Sequence, residues 1–221
     1  MGCPNCNPDK LEPGHIIKAI DDFQNCAECG APLEVRHKVT PSGWNEYFHK
    51  ICVAVASKSP CLSRNIGAIL VRDKSIVATG YNGPPRGVPH CGHDRIMKDE
   101  HLVNLLSNPP GRLSRKYPLP SVMQTTCPRK LLGYESGTHM ELCPAQHAEA
   151  NCITNAARLG VVTLGTTLYM NCVIPCEPCF GKLINAGIVE IVVDDITVYD
   201  RHTDFLMSNS DIIIRSFKCE S

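Results

Sequence analysis

Two short motifs in the C-terminal half of this 221-residue chain constrain its fold more than any other feature. The first is His-Ala-Glu at residues 147–149, at the start of a stretch with helical spacing. The second is Pro-Cys-Glu-Pro-Cys at 175–179, which begins 25 residues after Glu149. Two cysteines three positions apart at a helix start face one side of a single turn. If the two motifs form one site, the chain must fold so that the helix start at 147–149 lies next to the helix start at 175–179.

The sequence around these motifs alternates between helical and strand patterns, which predicts an α/β sheet covered by helices. Two β-branched runs upstream are joined by a short polar turn at 72–74 and predict a hairpin. With that hairpin in front, we expect a mixed, five-stranded sheet. The predicted helices are 44–60, 149–158 and 177–186, and the predicted strands are 66–73, 74–83, 166–173, 188–195 and 211–217.

A separate unit is predicted at residues 1–40, where two Cys-x2-Cys pairs are separated by nineteen residues. Two such pairs can close a tetrahedral zinc site of four thiolates, as in a zinc ribbon. The four predicted ligands are Cys3, Cys6, Cys26 and Cys29. The unit is interpreted as a metal staple for a segment too small to bury a core, and a nucleic-acid contact is the alternative.

The remainder, 44–221, is predicted to be one domain with an insertion at about 84–143. The insertion is rich in Pro, Gly, Arg and Lys, with one helix-like piece at 95–106. Long insertions of this kind are often lids or binding loops. The insertion also carries basic residues that are candidates for holding a phosphate group, namely Arg86, Arg112, Arg115 and Lys116.

The motif residues have the chemistry of a catalytic zinc site. His147, Cys176 and Cys179 supply one nitrogen and two sulfurs, which leaves a fourth zinc position open. A helix N-terminus helps to keep the thiolates deprotonated. Water bound at such a zinc loses its proton near neutral pH, instead of at about 15.7. Glu149 can face that water without joining the ligands, and the set matches the needs of hydrolytic deamination of a cytosine or adenine ring.

In these motifs and in the segments around them, the chain resembles the zinc-dependent cytidine and deoxycytidylate deaminase superfamily, and most of all the deoxycytidylate (dCMP) deaminases. The segments that carry the resemblance are 63–71, 79–87, 147–153 and 167–179. The resemblance implies a three-layer α/β/α sandwich, zinc ligation by His147, Cys176 and Cys179, and an acid/base role for Glu149. It also implies substrate contacts from Asn65, Asn82, Ala148 and Tyr199.

A further structural zinc is implied by the same resemblance, because some bacterial and phage dCMP deaminases are similar in carrying one beside the active site. Cys61, Cys91 and Cys143 stand where such ligands would be, and His90, His93 or His139 could complete the set. The alternative is three ordinary buried cysteines. The remaining five are interpreted as core or surface residues: Cys52, Cys127, Cys152, Cys172 and Cys219.

The composition of the chain argues against two classes of protein, those that bind nucleic acid through a basic surface and those that span a membrane. Lys plus Arg equals Asp plus Glu at 22 each, without the basic excess of a nucleic-acid-binding surface. No run approaches 18 apolar residues, and the N-terminus lacks the apolar core of a secretory signal. We therefore expect a cytoplasmic protein without a membrane span.

The sequence thus predicts deamination of dCMP to dUMP by a homo-oligomer, a dimer or a hexamer. The resemblance implies allosteric control by dCTP and dTTP, with Mg²⁺ accompanying the nucleotide effector. Two alternatives stay open. One is a deaminase of DNA or tRNA bases that uses the N-terminal zinc unit as its nucleic-acid grip. The other is a non-catalytic nucleotide-binding assembly protein, although such a protein has no use for the Glu149 carboxylate.

Overall fold

The computed structural model describes residues 43–108, 120–135, 137–198 and 200–217. The predicted four-cysteine unit at 1–40 and Tyr199 lie outside these ranges, as do Arg112, Arg115 and Lys116. The elements are, in chain order, α1 (Trp44–Ala56), β1 (Gly67–Arg72), β2 (Ser75–Tyr81), α2 (His93–Ile96), α3 (Glu100–Ser107), α4 (Pro120–Thr125), α5 (Pro128–Leu131), a 3₁₀ turn (Met140–Leu142), α6 (Ala148–Arg158), β3 (Thr167–Val173), α7 (Glu177–Asn185), β4 (Glu190–Asp195), α8 (Arg201–Ser208) and β5 (Ile213–Ser216).

The five strands form one mixed sheet in the order β2-β1-β3-β4-β5. β1 is antiparallel to both β2 and β3, whereas β3, β4 and β5 run parallel. Asp73 and Lys74 turn the β1–β2 hairpin with positive φ angles of 50° and 60°, the geometry that matches the twist of the strands. The mixed, five-stranded sheet expected from the sequence is confirmed.

Each face of the sheet has its own core, because alternate residues of a strand point to opposite faces. On one face, Phe48 and Cys52 of α1 pack against residues such as Ile69 and Tyr169. On the other face, α6 and α7 cover the larger core, which includes Phe180 and the central strand residues. The layers are therefore α/β/α, as the resemblance implied.

The insertion carries a small apolar cluster of its own. Leu102 and Leu106 of α3 pack with Met123 of α4 and with Leu132, which directly follows α5. The helix-like piece predicted at 95–106 is two helices, because Asp99 accepts a hydrogen bond from Leu102 N (2.9 Å) and starts α3 afresh. A side-chain oxygen in that position satisfies an amide at the start of a helix.

Helix α8 differs from the sequence expectation, which treated the stretch before the last strand as a mostly polar segment. Asp200 caps it, accepting hydrogen bonds from the backbone N–H and the hydroxyl of Thr203, both at 2.6 Å. Leu206 and Met207 then pack against the larger core. Two apolar residues and a cap stabilise this short helix, although most of its side chains are polar. In the described part of the chain, no helix has both the length and the apolar character needed to cross a bilayer.

Candidate metal centre and active site

Four side chains from the two motifs converge at one point. The ligand atoms of His147, Glu149, Cys176 and Cys179 all lie within 4.8 Å of one another. His147 Nδ1 lies 3.4 Å from Cys176 Sγ and 3.6 Å from Cys179 Sγ. The structure therefore brings together the four residues that the sequence predicted to share a site.

These separations fit a zinc ion. Zinc binds sulfur at about 2.3 Å and imidazole nitrogen at about 2.0–2.1 Å, so two such ligands at a tetrahedral angle lie about 3.6 Å apart. The observed nitrogen–sulfur distances of 3.4 and 3.6 Å match that value without any movement of the chain. A donor set of one imidazole and two thiols also favours zinc over magnesium or calcium.

Two helix N-termini hold these side chains. His147 is the N-cap of α6 and Cys176 is the N-cap of α7, both with extended backbone angles. Cys179 lies in the first turn of α7, where its N–H donates to Cys176 O at 2.9 Å. The N-terminus of a helix carries a partial positive charge. Both N-termini therefore favour thiolate over thiol at the point where the sulfurs meet.

The titration of the cluster reflects the close contact of its members. Hydrogen bonds to Cys176 and Glu149 raise the pKa of His147 to about 10, against the opposing effect of burial. The hydrogen bond from Cys179, with that from His147, lowers the pKa of Cys176 to about 4 despite burial. The Cys176 sulfur and burial raise the pKa of Cys179 above its usual range. Close contact between these groups therefore favours a proton on the His147 ring and a thiolate at Cys176, and the deprotonated forms of such groups are the ones that bind zinc.

Glu149 is the most deeply buried member of the cluster. It is 3% exposed, and its Oε1 lies 3.6 Å from His147 Nδ1. A buried carboxylate needs a partner or a function. Its position beside the nitrogen and the sulfurs, inside the first turn of α6, is suited to passing protons at the metal centre.

Asn82, a predicted substrate contact, is bonded to the backbone here. Its Oδ1 accepts from Ile66 N and its Nδ2 donates to Arg64 O, both at 2.8 Å. Asn82 is only 7% exposed, so it fixes the segment before β1 next to the loop after β2.

Of the other predicted substrate contacts, Asn65 is exposed and donates to Ser59 O at 3.2 Å. Ala148 is buried at the first position of α6. Arg86, predicted to help hold a phosphate, donates instead to Asn155 Oδ1 (3.0 Å), two turns along α6 from His147. The structure therefore places Arg86 on the side of the helix and away from its N-terminus.

A second group of cysteines lines a cavity of about 20 Å³ that has room for about one water-sized particle. Its walls include all three cysteines that the resemblance pointed to, namely Cys61, Cys91 and Cys143, and also Cys127. Cys61 Sγ accepts a hydrogen bond from Ser63 N (3.4 Å), and Cys91 Sγ accepts one from Arg95 (3.6 Å). The four thiols come from four separate loops.

Cys127, interpreted from the sequence as a core or surface residue, is half-buried and also lines this cavity. No local signal in the sequence sets it apart, because its place on the cavity wall depends on how the insertion folds back. Of the histidines considered as a fourth ligand, His90 lines the cavity. His139 instead stacks on Tyr134 with ring centroids 3.6 Å apart.

Comparison with known proteins agrees with this geometry. The family model described as the cytidine and deoxycytidylate deaminase zinc-binding region matches residues 42–194. The deoxycytidylate deaminase of Saccharomyces cerevisiae is 30% identical over 201 residues, 91% of this chain and 50% of that protein. The deoxycytidylate deaminase of mycobacteriophage D29 is 31% identical over 156 residues, 67% of this chain and 92% of that protein. The chain spans about half the length of the S. cerevisiae relative and 44% of the one from Schizosaccharomyces pombe.

The fold is also found among solved structures. The dCMP deaminase of cyanophage S-TIM5, in complex with dCMP and dUMP, superposes with a TM-score of 0.50 at 18% identity. The match covers 77% of this chain and 94% of that one. The likeness in fold, the match of the family model over more than half of the chain and the zinc-compatible cluster lead to one conclusion: the chain belongs to the family of zinc-binding cytidine and deoxycytidylate deaminases.

Proposed function

We propose that the chain catalyses the zinc-dependent hydrolysis of dCMP to dUMP and ammonia. The observation that carries the proposal is the buried carboxylate of Glu149 beside a His-Cys-Cys set with the spacing of a zinc site. Relatives named deoxycytidylate deaminase, from yeasts to phages, support the choice of dCMP among cytosine nucleotides.

In this proposal His147, Cys176 and Cys179 hold the zinc. When bound, zinc supplies Lewis acidity that lowers the pKa of a water from about 15.7 to about 7. Imidazole and thiolate bind zinc in their deprotonated forms, so zinc binding would release protons from this set. Three protein ligands at two helix starts would leave a bound zinc able to take a fourth ligand.

Glu149 moves the protons of the reaction. The water adds its oxygen to C4 of the cytosine ring, and the Glu149 carboxylate takes a proton from that water and delivers it to N3. The second proton of the water passes through the same carboxylate to the amino group, and the C4–N bond breaks to release ammonia. Glu149 ends in the charge state in which it started, so one buried carboxylate is enough for the whole cycle.

The substrate contacts in this proposal are Asn65, Asn82, Ala148 and Tyr199. The support from the structure is that Asn82 adjoins the segment leading to His147. The loop after β2 is paired with that segment through Gly83 and Gln146, with hydrogen bonds of 2.7 and 3.1 Å. A nucleoside held by this loop would therefore lie near the metal centre.

A second, structural zinc is proposed at the cavity of Cys61, Cys91, Cys127 and Cys143. Four thiols around a cavity of atomic size are the donor set of a closed zinc site. Arg95 supports the site because its guanidinium donates to Cys91 Sγ and to Leu142 O (2.8 Å), beside Cys143. Such a zinc would fasten the insertion to the segment that leads into His147.

The N-terminal cysteines Cys3, Cys6, Cys26 and Cys29 are proposed to hold a further structural zinc. Assembly into a homo-oligomer and control by dCTP and dTTP with Mg²⁺ are likewise proposed, on the strength of the sequence resemblance to the dCMP deaminases at residues 63–71, 79–87, 147–153 and 167–179.

Ammonia release from a panel of substrates tests the proposal. The purified, zinc-loaded chain is mixed with dCMP, deoxycytidine, CMP, dCTP, dAMP and a single-stranded oligodeoxynucleotide, with Glu149→Gln as the inactive control. We expect dCMP to be the best substrate and deoxycytidine to be slower by roughly two to four powers of ten, since two charge-assisted phosphate contacts would be lost. Equal rates on dCMP and deoxycytidine would exclude a phosphate site, and activity on the oligonucleotide alone would make the chain a polynucleotide deaminase.

A further inference from the structure

The first turn of α6 carries both His147 and Glu149, so its orientation sets the geometry of the proposed active site. His147, the N-cap, directs its ring at the cysteines and makes no cap hydrogen bond to the described start of α6. Because capping is the usual means of fixing a helix start, the orientation of this turn has to come from contacts elsewhere.

Strand β2 supplies such contacts. It is an edge strand of the sheet, so its outward carbonyl groups have no strand to pair with. Two asparagines of α6 use them instead: Asn151 Nδ2 donates to Tyr81 O at 2.8 Å, and Asn155 Nδ2 donates to Thr79 O at 2.9 Å. The asparagines are one helical turn apart and the carbonyls two strand residues apart, so the helix and the strand edge match in spacing.

The two asparagines differ in their distance from the chemistry. Asn151 is one turn after His147, and its own N–H donates to His147 O at 2.9 Å. Asn155 lies a further turn along, and its side chain also accepts from Arg86. Gln146, the residue before His147, is paired with Gly83. His147 is therefore fastened to the extension of β2 on one side and, through Asn151, to the end of β2 on the other.

We propose that Asn151 is a positioning residue, whose hydrogen bond to Tyr81 O fixes the rotation of the first turn of α6 and with it the directions of His147 and Glu149. The inference rests on the proposed function, because it assigns Asn151 a role in the same site. Rotation of a helix about its axis moves every side chain on its first turn, and displacement of a reacting group by about 1 Å can cost up to about a hundredfold in rate.

Asn155 provides a matched control on the same helix. Both asparagines are half-buried and each donates one hydrogen bond to a carbonyl of β2. If these bonds only hold the helix to the strand, Asn151→Ala and Asn155→Ala should have the same consequences. If Asn151 positions the site, only Asn151→Ala should alter the chemistry and the metal.

The experiment compares the two variants in the full chain for kcat, KM and loss of zinc to a competing chelator. We expect Asn151→Ala to lower kcat about tenfold or more, to change KM less than threefold and to lose zinc from the His147 site at least about tenfold faster. Asn155→Ala should keep kcat and zinc loss within about twofold of the parent chain. Equal effects of the two variants on kcat and on zinc loss would overturn the proposal.

Two further variants protect the test against a folding defect. Asn151→Asp has the same shape but faces Tyr81 O with an acceptor, so it should be at least as impaired as Asn151→Ala. Asn151→Gln keeps the donor and should recover part of the lost kcat, and failure of Gln to exceed Ala would count against the role. If the parent chain deaminates no nucleotide, the proposed function fails, whereas the zinc-loss comparison still decides the positioning role.

Discussion

The two clusters of side chains proposed to bind metal in this chain are built in different ways. The His147 cluster lies on two helix starts and draws its donor atoms to within 4.8 Å, the only group of three or more potential ligands that close in the described ranges. The cavity cluster of Cys61, Cys91, Cys127 and Cys143 stands on four loops around an open space. The donor atoms of the first cluster lie together at the starts of α6 and α7, whereas the thiols of the second line a small cavity between loops.

The difference follows from what each cluster contains. The His147 cluster combines nitrogen, sulfur and a buried carboxylate, which suits an open position and proton transfer. The cavity cluster offers four equivalent thiols, which suits a closed structural site. We therefore expect that substitutions in the His147 cluster stop the reaction and leave the fold intact. Substitutions in the cavity cluster should weaken the fold.

The largest effect is expected at Glu149. Glu149→Gln keeps the size of the side chain and a hydrogen-bonding group but cannot exchange protons, so kcat should fall at least about a hundredfold. Zinc content should stay the same, because the three proposed ligands are His147, Cys176 and Cys179. Steady-state kinetics with metal analysis by mass spectrometry checks both parts. Loss of zinc from the variant would mean that Glu149 is a ligand.

The cavity cluster should respond in the opposite manner. Cys127→Ser removes one thiol from the proposed structural site, so the zinc count of the full chain should fall from three to two. The stability should drop by about 3 kcal/mol, as for loss of a structural metal. Metal analysis and chemical denaturation measure the two effects, and Cys61→Ser should reproduce them. An unchanged zinc count in Cys127→Ser would mean that Cys127 is an ordinary half-buried cysteine and not a zinc ligand.

Gly80 tests whether helix packing shapes the first cluster. An added Cβ at Gly80 would lie 2.4 Å from both Ala148 O and Cys152 N, so Gly80→Ala must push α6 away from β2. Overpacking of this kind should cost about 2 kcal/mol and should weaken zinc binding at His147.

The matched control for Gly80 is Gly181 on α7, where an added Cβ meets no described atom within 4 Å. Gly181→Ala should stabilise the chain by about 0.5–1 kcal/mol, since alanine favours a helix interior over glycine. Thermal melting and chelator competition provide the readouts. Equal behaviour of the two alanine variants would show that α6 does not depend on its contact with Gly80.

The smallest effect concerns the ion pair between Arg95 and Asp99, beside the cavity cluster. Burial raises the pKa of Asp99, but hydrogen bonds from Leu102 N and from Arg95 outweigh burial and lower this pKa below its usual range. The group therefore stabilises the fold above the unfolded pKa of about 3.9, and this contribution disappears as the pH falls through the lower, folded value. Asp99→Asn keeps a good helix cap but loses the charge, so it should cost about 0.5 kcal/mol at pH 7.

The pH dependence completes that test. The difference in stability between the parent chain and Asp99→Asn should shrink as the pH is lowered from 5 toward 3, because the parent then loses the same charge. Urea unfolding across this range measures the difference. A constant gap would mean that the Asp99 charge contributes nothing.

Much of the fold was predictable from the sequence because the signals for its strands, helices and motifs are local. Strand and helix periods, the Asp73–Lys74 turn and the two motifs each depend on residues within a few positions of one another. The spacing of His147, Glu149, Cys176 and Cys179 also indicated their meeting, since each motif opens a helix next to a strand of one sheet. The roles assigned to these four residues are predictions that the experiments above test.

Other features arise from contacts between distant segments, and nothing in the local sequence specifies them. Cys127 joins the cavity only because the insertion folds back on the loops before β1 and after β2. Arg86 meets Asn155, and Asn151 meets Tyr81 O, across about seventy residues of chain. Periodicity reports which face of an element is apolar, but it does not report which polar groups of two elements come within 3 Å. The sequence by itself determined the five strands, the main helices that cover the sheet and the ligand set of the proposed zinc site, while only tertiary packing decided how that site is held.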